Sequence, residues 1–190
     1  MKTFGIAIKI FLVFTILTGV IYPLLVTGIA QVVFPYQANG SLILKDNKII
    51  GSELIGQQSN STIYFTSRPS AIGNNPLPSG GSNYGLTSAK LKAQVAERKN
   101  KFIKFNHLAA GVEVPADMLF ASASGLDPHI SPEAAQLQIN RIAKARNFDL
   151  IQKHELITLV DNISQGPQLT CLGESRVNVL LLNIALDKLK

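Results

Sequence analysis

The sequence has few charged residues, and the shortage lies at its N-terminal end. No acidic residue precedes Asp46, and no charged residue of either sign stands between Lys9 and Lys45. Over the whole chain of 190 residues, 16% are charged, against about 25% in an average soluble protein. This distribution excludes a uniformly soluble globule. The length leaves room for about one domain besides the N-terminal block, which excludes a polytopic transporter and a motor with its own nucleotide-binding and phosphorylation domains.

Cysteine and metal-ligand patterns are also scarce. Cys171 is the single cysteine, so no intramolecular disulfide can form and a disulfide framework is excluded. His107, His129 and His154 lie far apart, without the spacing of a helical or zinc-finger metal site. The sequence therefore predicts no metal site.

The N-terminal block contains an apolar run from Ile10 to Val33. As a helix, this run is long enough to cross a hydrocarbon core of roughly 30 Å. Pro23 removes one helical hydrogen bond and should kink the helix, and Gly19 and Gly28 can admit a neighbouring helix closely. We predict a short cytoplasmic N-terminus at residues 1–9 and a transmembrane helix at 10–33.

A signal peptide cleaved after Ala30 is the alternative to this helix. It would release a secreted binding module. The apolar character continues past Ala30 through Val32, Val33 and Phe34, which favours a retained anchor. The basic N-terminus also favours a cytoplasmic start, with the bulk of the chain on the extracytoplasmic side.

Residues 34–190 predict a single mixed α/β domain of the α+β class. Two apolar runs around the turn Asp46–Lys48 predict a β-hairpin, and Ile63–Phe65 predicts another short strand. Residues 69–88 are rich in glycine, proline and serine, which is typical of a long functional or mobile loop. The apolar segment Val177–Leu186 favours a buried strand, and its period alone leaves a helix as the alternative.

Three helices are expected in this domain. The first begins after a cap at Thr87 or Ser88, and the second begins at Ser131-Pro132-Glu133. A capping box of Asp149 and Gln152 predicts the third, ending at about Ile163. Six basic residues on the first helix fit a solvated helix face, and no nucleic-acid module accompanies them, so we expect no nucleic-acid partner.

A cluster of Ser122, Ser124, Asp127 and His129 invites a Ser/His/Asp interpretation. Neither serine has the flanking glycines of a nucleophile elbow. A turn before a capped helix explains the cluster better, with Asp127 bonding to local backbone. A membrane-anchored serine hydrolase remains the alternative function.

The loop Ser79-Gly80-Gly81-Ser82-Asn83 could approach a phosphate with its backbone amides. The P-loop pattern is absent, and loop flexibility is the favoured explanation of the glycines.

Several ordered motifs together resemble one known family. They are the Tyr-Pro of the apolar run, Gly51-Ser-x-Leu-Ile-Gly-Gln57, Tyr64-Phe-x-x-Arg-Pro-Ser-Ala71, Ser79–Asn83, Ala121-Ser-x-Ser-Gly-Leu-Asp-Pro-His-Ile-Ser-Pro132, Gly173-Glu-x-Arg-Val-Asn-Val179 and Leu182-Asn183. The chain resembles the C subunit of the bacterial Kdp potassium-transporting P-type ATPase, the KdpC family.

This resemblance implies a non-catalytic accessory subunit in the bacterial plasma membrane, with one span and an extracytoplasmic domain. The implied partners are a channel-like potassium-translocating subunit, a P-type ATPase subunit and the lipid bilayer. It also implies a catalytic chaperone that raises the ATP affinity of the ATPase subunit, so ATP at Ser79–Asn83 is a family expectation. The family motifs supply further partner or motif candidates: Arg68, Asp127, His129, Arg176 and Asn178. No covalent cofactor and no catalytic residue are expected.

Overall fold

The protein is described by a computed structural model that covers residues 2–189. Its contacts divide the chain into two compact units, with the boundary between Ser52 and Glu53. The predicted domain limits at residues 9/10 and 33/34 stay predictions.

The first unit begins with one long apolar helical stretch. Helix α1 (Lys2–Ile16) continues through a π-helical turn (Leu17–Ile21) into helix α2 (Tyr22–Val33). In the π-turn the Tyr22 amide donates to the carbonyl of Leu17, five residues earlier, directly before Pro23, which has no N–H to donate. The whole stretch is long and apolar enough to cross a membrane, and it contains the predicted span.

The rest of the first unit contains a one-turn helix and the predicted hairpin. Helix α3 (Pro35–Ala38) precedes strands β1 (Leu42–Lys45) and β2 (Lys48–Ser52), which pair antiparallel with a bulge after Ile43. Asp46 and Asn47 in the turn have φ values of 51° and 59°, as a type I′ turn requires. The hairpin prediction is confirmed.

The second unit is mainly helical. Its elements are α4 (Ala89–Phe105), α5 (Ala116–Leu119), β3 (His129–Ile130), α6 (Pro132–Ala145), α7 (Leu150–Ile163), β4 (Val177–Asn178) and α8 (Val179–Leu186). Its core is a cluster of buried apolar side chains from these helices and from the preceding loops, including Phe65, Phe102, Ile130, Ile142, Leu156, Val160, Val177, Leu182 and Leu186. Residues 69–88 form the predicted loop, without helix or strand.

The three predicted helix starts in this unit are confirmed. The Ser88 and Ser131 hydroxyls accept from the amides of Leu91 and Ala134, at 3.4 and 3.1 Å. Asp149 and Gln152 form the complete capping box. Each of these caps lies within three residues of its amide partner, which is why local sequence was enough to predict it.

Two secondary-structure predictions are wrong. Ile63–Phe65 is not a strand. Side chains occupy its backbone groups in place of a partner strand: Asn183 of α8 binds Phe65, Arg141 of α6 binds the Tyr64 carbonyl, and Arg146, just after α6, binds the Ile63 carbonyl. Only Val177–Asn178 of the predicted C-terminal strand is extended, and the rest forms α8. The Asn178 side chain explains this change, because its Oδ1 accepts from the amide of Leu181 and caps the helix at 3.1 Å.

The expected three helices are therefore too few for the second unit, which has five among the residues that the structure describes. The two additional helices are the single turn α5 and the eight-residue α8. Helix α8 is almost wholly apolar, so its sequence has no polar face to reveal a helical period.

Glycines allow two loops of the second unit to pack backbone against backbone. A Cβ at Gly56 would lie 2.6 Å from the Asp127 carbonyl oxygen, and one at Gly81 would lie 2.8 Å from that of Ala123. Gly125, at φ 73°, approaches the carbonyl of Gly80 in the same way. The contacts of Gly81 and Gly125 hold the loop at 69–88 against the segment that leads into β3, and Gly56 packs a preceding loop against the same segment.

Candidate functional site

Four separated segments of the second unit line one cavity of about 980 Å³, and three of them carry residues that the sequence resemblance named. Arg68 comes from the loop after Phe65, Asp127 and His129 come from the segment at β3, and Arg176 comes immediately before β4. The cavity thus brings together four of the five candidate side chains that the sequence resemblance named.

The short pairing of β3 with β4 produces this convergence. His129 lies opposite Asn178 and Ile130 lies opposite Val177 in the antiparallel register. Because Ile130 and Val177 are buried in the core, the register is fixed, and the charged residues next to them are held at the surface.

Arg68 and Asp127 form an ion pair at the cavity wall. The Arg68 Nη1 lies 2.7 Å from the Asp127 Oδ2, with about a quarter of each side chain exposed. Half-buried pairs of this kind are screened less by solvent than surface pairs, so the contact fixes the position of both side chains.

His129 contacts the other oxygen of the same carboxylate. Its backbone amide donates to the Asp127 Oδ1 at 3.0 Å, and its Nδ1 lies 3.4 Å from that oxygen. Burial opposes ionisation of Asp127, but hydrogen bonds from the His129 side chain and backbone, and the charge of Arg68, outweigh it and lower the pKa of this carboxyl to about 2. Asp127 is therefore ionised at neutral pH. The predicted local backbone bond of Asp127 is confirmed.

The two arginines retain unused donors. The Nε atoms of Arg68 and Arg176 are buried and have no hydrogen-bond partner within residues 2–189. An unpaired buried N–H is costly, typically by about 1–3 kcal/mol, so such groups are usually satisfied by a bound molecule, water or another chain. Both arginines line the cavity, but these two Nε atoms are themselves covered, so an acceptor in the cavity reaches them only after the side chains shift.

Carboxylates also line this cavity. Glu113, Glu133 and Glu174 are exposed at its edge. Asp117 is engaged in the fold, since its Oδ2 accepts from the backbone amide of Ser131 at 2.7 Å. The described residues contain no group of three or more His, Cys, Asp and Glu side chains placed to hold a metal ion.

The fifth candidate, Asn178, is placed differently. Besides capping α8, its Nδ2 donates to the carbonyl of Glu53 at 2.8 Å. Its side chain is buried and both ends are used, so it serves the fold and not the cavity.

The Ser79–Asn83 loop does not line the cavity. The Gly80 amide donates to the Ser124 carbonyl at 3.0 Å, and Gly81 is in close contact with Ala123. One of the amides considered for an anion is therefore already occupied by the fold.

The serines near His129 form a turn. The Ser124 hydroxyl accepts from the amide of Leu126 at 3.1 Å, and Ser122 is buried. Within the described part of the chain, neither hydroxyl is hydrogen-bonded to His129, whose imidazole contacts Asp127 instead.

Nothing in the sequence indicated a buried arginine that holds the loop leading to Arg68. Arg141, 3% exposed, donates its Nε to the Oδ1 of Asn106 at 2.8 Å and its Nη2 to the Tyr64 carbonyl at 2.9 Å. Its Nη1 bonds to the carbonyls of Ser61 and Thr62. Burial lowers the pKa of Arg141 to about 10. Its place on a helix among polar neighbours gave no signal of this role.

The comparisons with known proteins agree with the sequence resemblance. The family described as KdpC, the c chain of the K⁺-transporting ATPase, matches residues 4–188. A potassium-transporting ATPase KdpC subunit of Geotalea uraniireducens is 50% identical over 100% of this chain and 99% of its own. Subunits of the same name from Caldanaerobacter subterraneus and Mycobacterium bovis are 45% and 47% identical, over 94% and 96% of this chain and 91% and 96% of theirs.

Proposed function

Because the chain belongs to the KdpC family of K⁺-transporting ATPase subunits, we propose that it is a non-catalytic accessory subunit that supports assembly of a potassium-uptake complex. Its partners in this proposal are a channel-like potassium-translocating subunit and a P-type ATPase subunit. The cavity of Arg68, Asp127, His129 and Arg176 is the docking site for one of them.

One observation carries the proposal. Four residues of three family motifs converge on a cavity whose two arginines keep buried, unpartnered Nε–H groups, whereas the nearby serines are engaged in a turn. Such a site offers donors to a ligand but no activated nucleophile. A carboxylate or a backbone carbonyl of a partner subunit would satisfy the free donors.

The test is co-purification of the complex in mild detergent with Arg176→Gln. The Arg176 side chain makes no hydrogen bond or ion pair within residues 2–189, so the variant chain should keep its thermal stability. We expect about a tenfold loss of partner recovery, as for a lost contact of about 1.4 kcal/mol. Lys144→Gln, on an exposed position of α6, is the matched control.

Undiminished recovery and potassium-stimulated ATPase activity with Arg176→Gln would exclude this cavity as the docking site. Recovery of the native chain as a stable lone protein from cells that express the partners would argue against an accessory subunit altogether. Labelling of Ser122 or Ser124 by a serine-reactive phosphonate would instead support the hydrolase alternative.

We also propose that any influence on ATP affinity is indirect. With the N-terminus in the cytoplasm, the second unit is extracytoplasmic and acts on the ATPase subunit through linked binding equilibria. The engagement of Gly80 and Gly81 in packing supports this route. A C-terminal reporter fusion tests the orientation, and labelling of Ser79–Asn83 by a photoreactive ATP analogue would contradict the indirect route.

A further inference from the structure

The β1–β2 hairpin of the first unit has an exposed apolar face. Leu44 and Ile49 lie directly opposite each other in the register, and Leu42 lies on the same face two residues earlier. Their exposed fractions are 64%, 63% and 40%. A two-stranded sheet is marginally stable in water unless such a face packs against something, so this face calls for an external surface.

The turn end of the hairpin carries a pair of like charges. Lys45 lies directly opposite Lys48, next to the turn residues Asp46 and Asn47. Like charges directly opposite each other on paired strands repel, and the repulsion is relieved when an anion binds near both. By the alternation of the strand, the two lysines lie on the face opposite Leu44 and Ile49, which also carries Ile43 farther from the turn.

The chain holds this hairpin close to the end of the membrane-length helix. Eight residues lie between Val33 and Leu42, so the connection reaches at most about 30 Å, and helix α3 shortens it further. Phe34 and Tyr36 lie in this connection, and both are exposed. Aromatic side chains at this position are typical of the boundary between acyl chains and headgroups.

We propose that the β1–β2 hairpin lies on the membrane surface, with Leu42, Leu44 and Ile49 at the acyl-chain boundary and Lys45 and Lys48 among anionic phosphate headgroups. The short connection to the membrane-length helix, the apolar face and the lysine pair all favour lipid over a protein partner. Long lysine side chains can bend back to phosphate level from the solvent face. The apolar contact provides the binding and the lysines provide the preference for anionic lipid.

The absence of tryptophan from this chain allows a direct measurement. The full-length chain is reconstituted as Leu44→Trp or as Ile43→Trp, its neighbour on the opposite face of the same strand. The vesicles contain phosphatidylglycerol and phosphatidylcholine with brominated acyl chains. We expect bromolipid quenching to be about twofold stronger or more at position 44, and acrylamide quenching to be stronger at position 43.

Equal bromolipid quenching at the two positions, or stronger acrylamide quenching at position 44, would overturn the proposal. The charge component is tested with Lys45→Gln and Lys48→Gln together in the Leu44→Trp chain. We expect quenching in phosphatidylglycerol vesicles to fall to its value in pure phosphatidylcholine. A preference for phosphatidylglycerol that survives this double substitution would overturn the role of the lysines.

The same reporter is then measured in the complex purified with its partner subunits and reconstituted in the same vesicles. Retained bromolipid quenching at position 44 supports the lipid contact in the assembled state. Loss of quenching by both bromolipid and acrylamide would mean that a partner subunit covers the face, and would overturn the proposal. This outcome is independent of whether the arginine cavity docks a partner.

Discussion

Asn183 holds the backbone of Phe65 by two hydrogen bonds, as the peptide of a neighbouring strand would. Its Oδ1 accepts from the Phe65 amide at 2.8 Å, and its Nδ2 donates to the Phe65 carbonyl at 3.0 Å. The Gln138 side chain binds the backbone of Thr66 in the same way: it accepts from the amide at 2.8 Å and donates to the carbonyl at 3.3 Å. Helices α6 and α8 thus fix the backbone of Phe65 and Thr66, shortly before Arg68, without a partner strand.

Replacing Asn183 with leucine should destabilise the protein by about 2–4 kcal/mol. Phe65 is fully buried, so its amide and carbonyl would lose their partners without access to water. Thermal unfolding of the full-length chain in detergent, followed by circular dichroism, measures the change. Asn140→Leu, at an exposed position of α6, makes the same substitution without a buried partner and should shift the midpoint little. Equal midpoints for the two variants would show that the Phe65 contact contributes nothing measurable.

The extent to which this fold follows from sequence depends on how far apart the interacting residues are. The Ser88, Ser131 and Asp149 caps and the turn at Asp46 involve neighbours, and all were predictable. Ile63–Phe65 has the local pattern of a strand, but its partners are side chains more than 70 residues later in the sequence. No pattern within a segment of a few residues can report such a partner.

The candidate site shows the same limit. The family resemblance named Arg68, Asp127, His129 and Arg176, but the sequence alone did not place them around one cavity. That convergence depends on two residue pairs between β3 and β4, which are too short to give an alternating pattern. The sequence did not indicate that Arg141 is buried, because an arginine in a predicted helix without a carboxylate partner has the same sequence pattern as one on the helix surface.

Arg141→Lys should destabilise the second unit by about 3 kcal/mol or more. The guanidinium reaches the carbonyls of Ser61, Thr62 and Tyr64 and the side chain of Asn106 at once, whereas an ammonium offers three donors from a single point. The charge would stay buried with fewer partners. Urea unfolding of the full-length chain measures the loss.

Arg98→Lys is the graded control for this substitution. Arg98 is half-buried, and its strongest contact is one bond to the Leu119 carbonyl at 2.9 Å. Arg98→Lys should therefore lower the free energy of unfolding by about 1 kcal/mol. If the two variants unfold at the same urea concentration, the multiple carbonyl contacts of Arg141 do not explain its position.

The Arg68–Asp127–His129 cluster predicts a specific loss of stability in acid. Asp127 has a pKa of about 2 in the folded protein, below the ordinary value of 3.8. Its contribution is therefore fully present above about pH 4 and is lost as the pH falls towards 2. Asp127→Asn should lower stability by about 2 kcal/mol at neutral pH and by much less at pH 2.

Unfolding midpoints between pH 2 and pH 7 test this difference. Asp161→Asn is the control, because Asp161 is exposed on α7 and forms no ion pair within the described residues. If the difference in unfolding midpoint between the native chain and Asp127→Asn stays constant over this pH range, the stabilising effect of Asp127 does not depend on its ionisation.

Adjacent glycines in the Ser79–Asn83 loop separate a packing role from a ligand-binding role. Gly81→Ala should destabilise the protein by about 1–3 kcal/mol, since its Cβ would lie 2.8 Å from the backbone carbonyl of Ala123. A Cβ at Gly80 meets nothing within 4 Å, so Gly80→Ala should be nearly neutral. Thermal unfolding of the two variants decides between the roles.

If the glycines mainly gave flexibility to a nucleotide loop, both substitutions would change stability alike and both would lower ATP affinity in the complex. A large effect at Gly81 alone, with ATP affinity unchanged for Gly80→Ala, is the result expected when the loop serves to pack against the segment that carries Asp127.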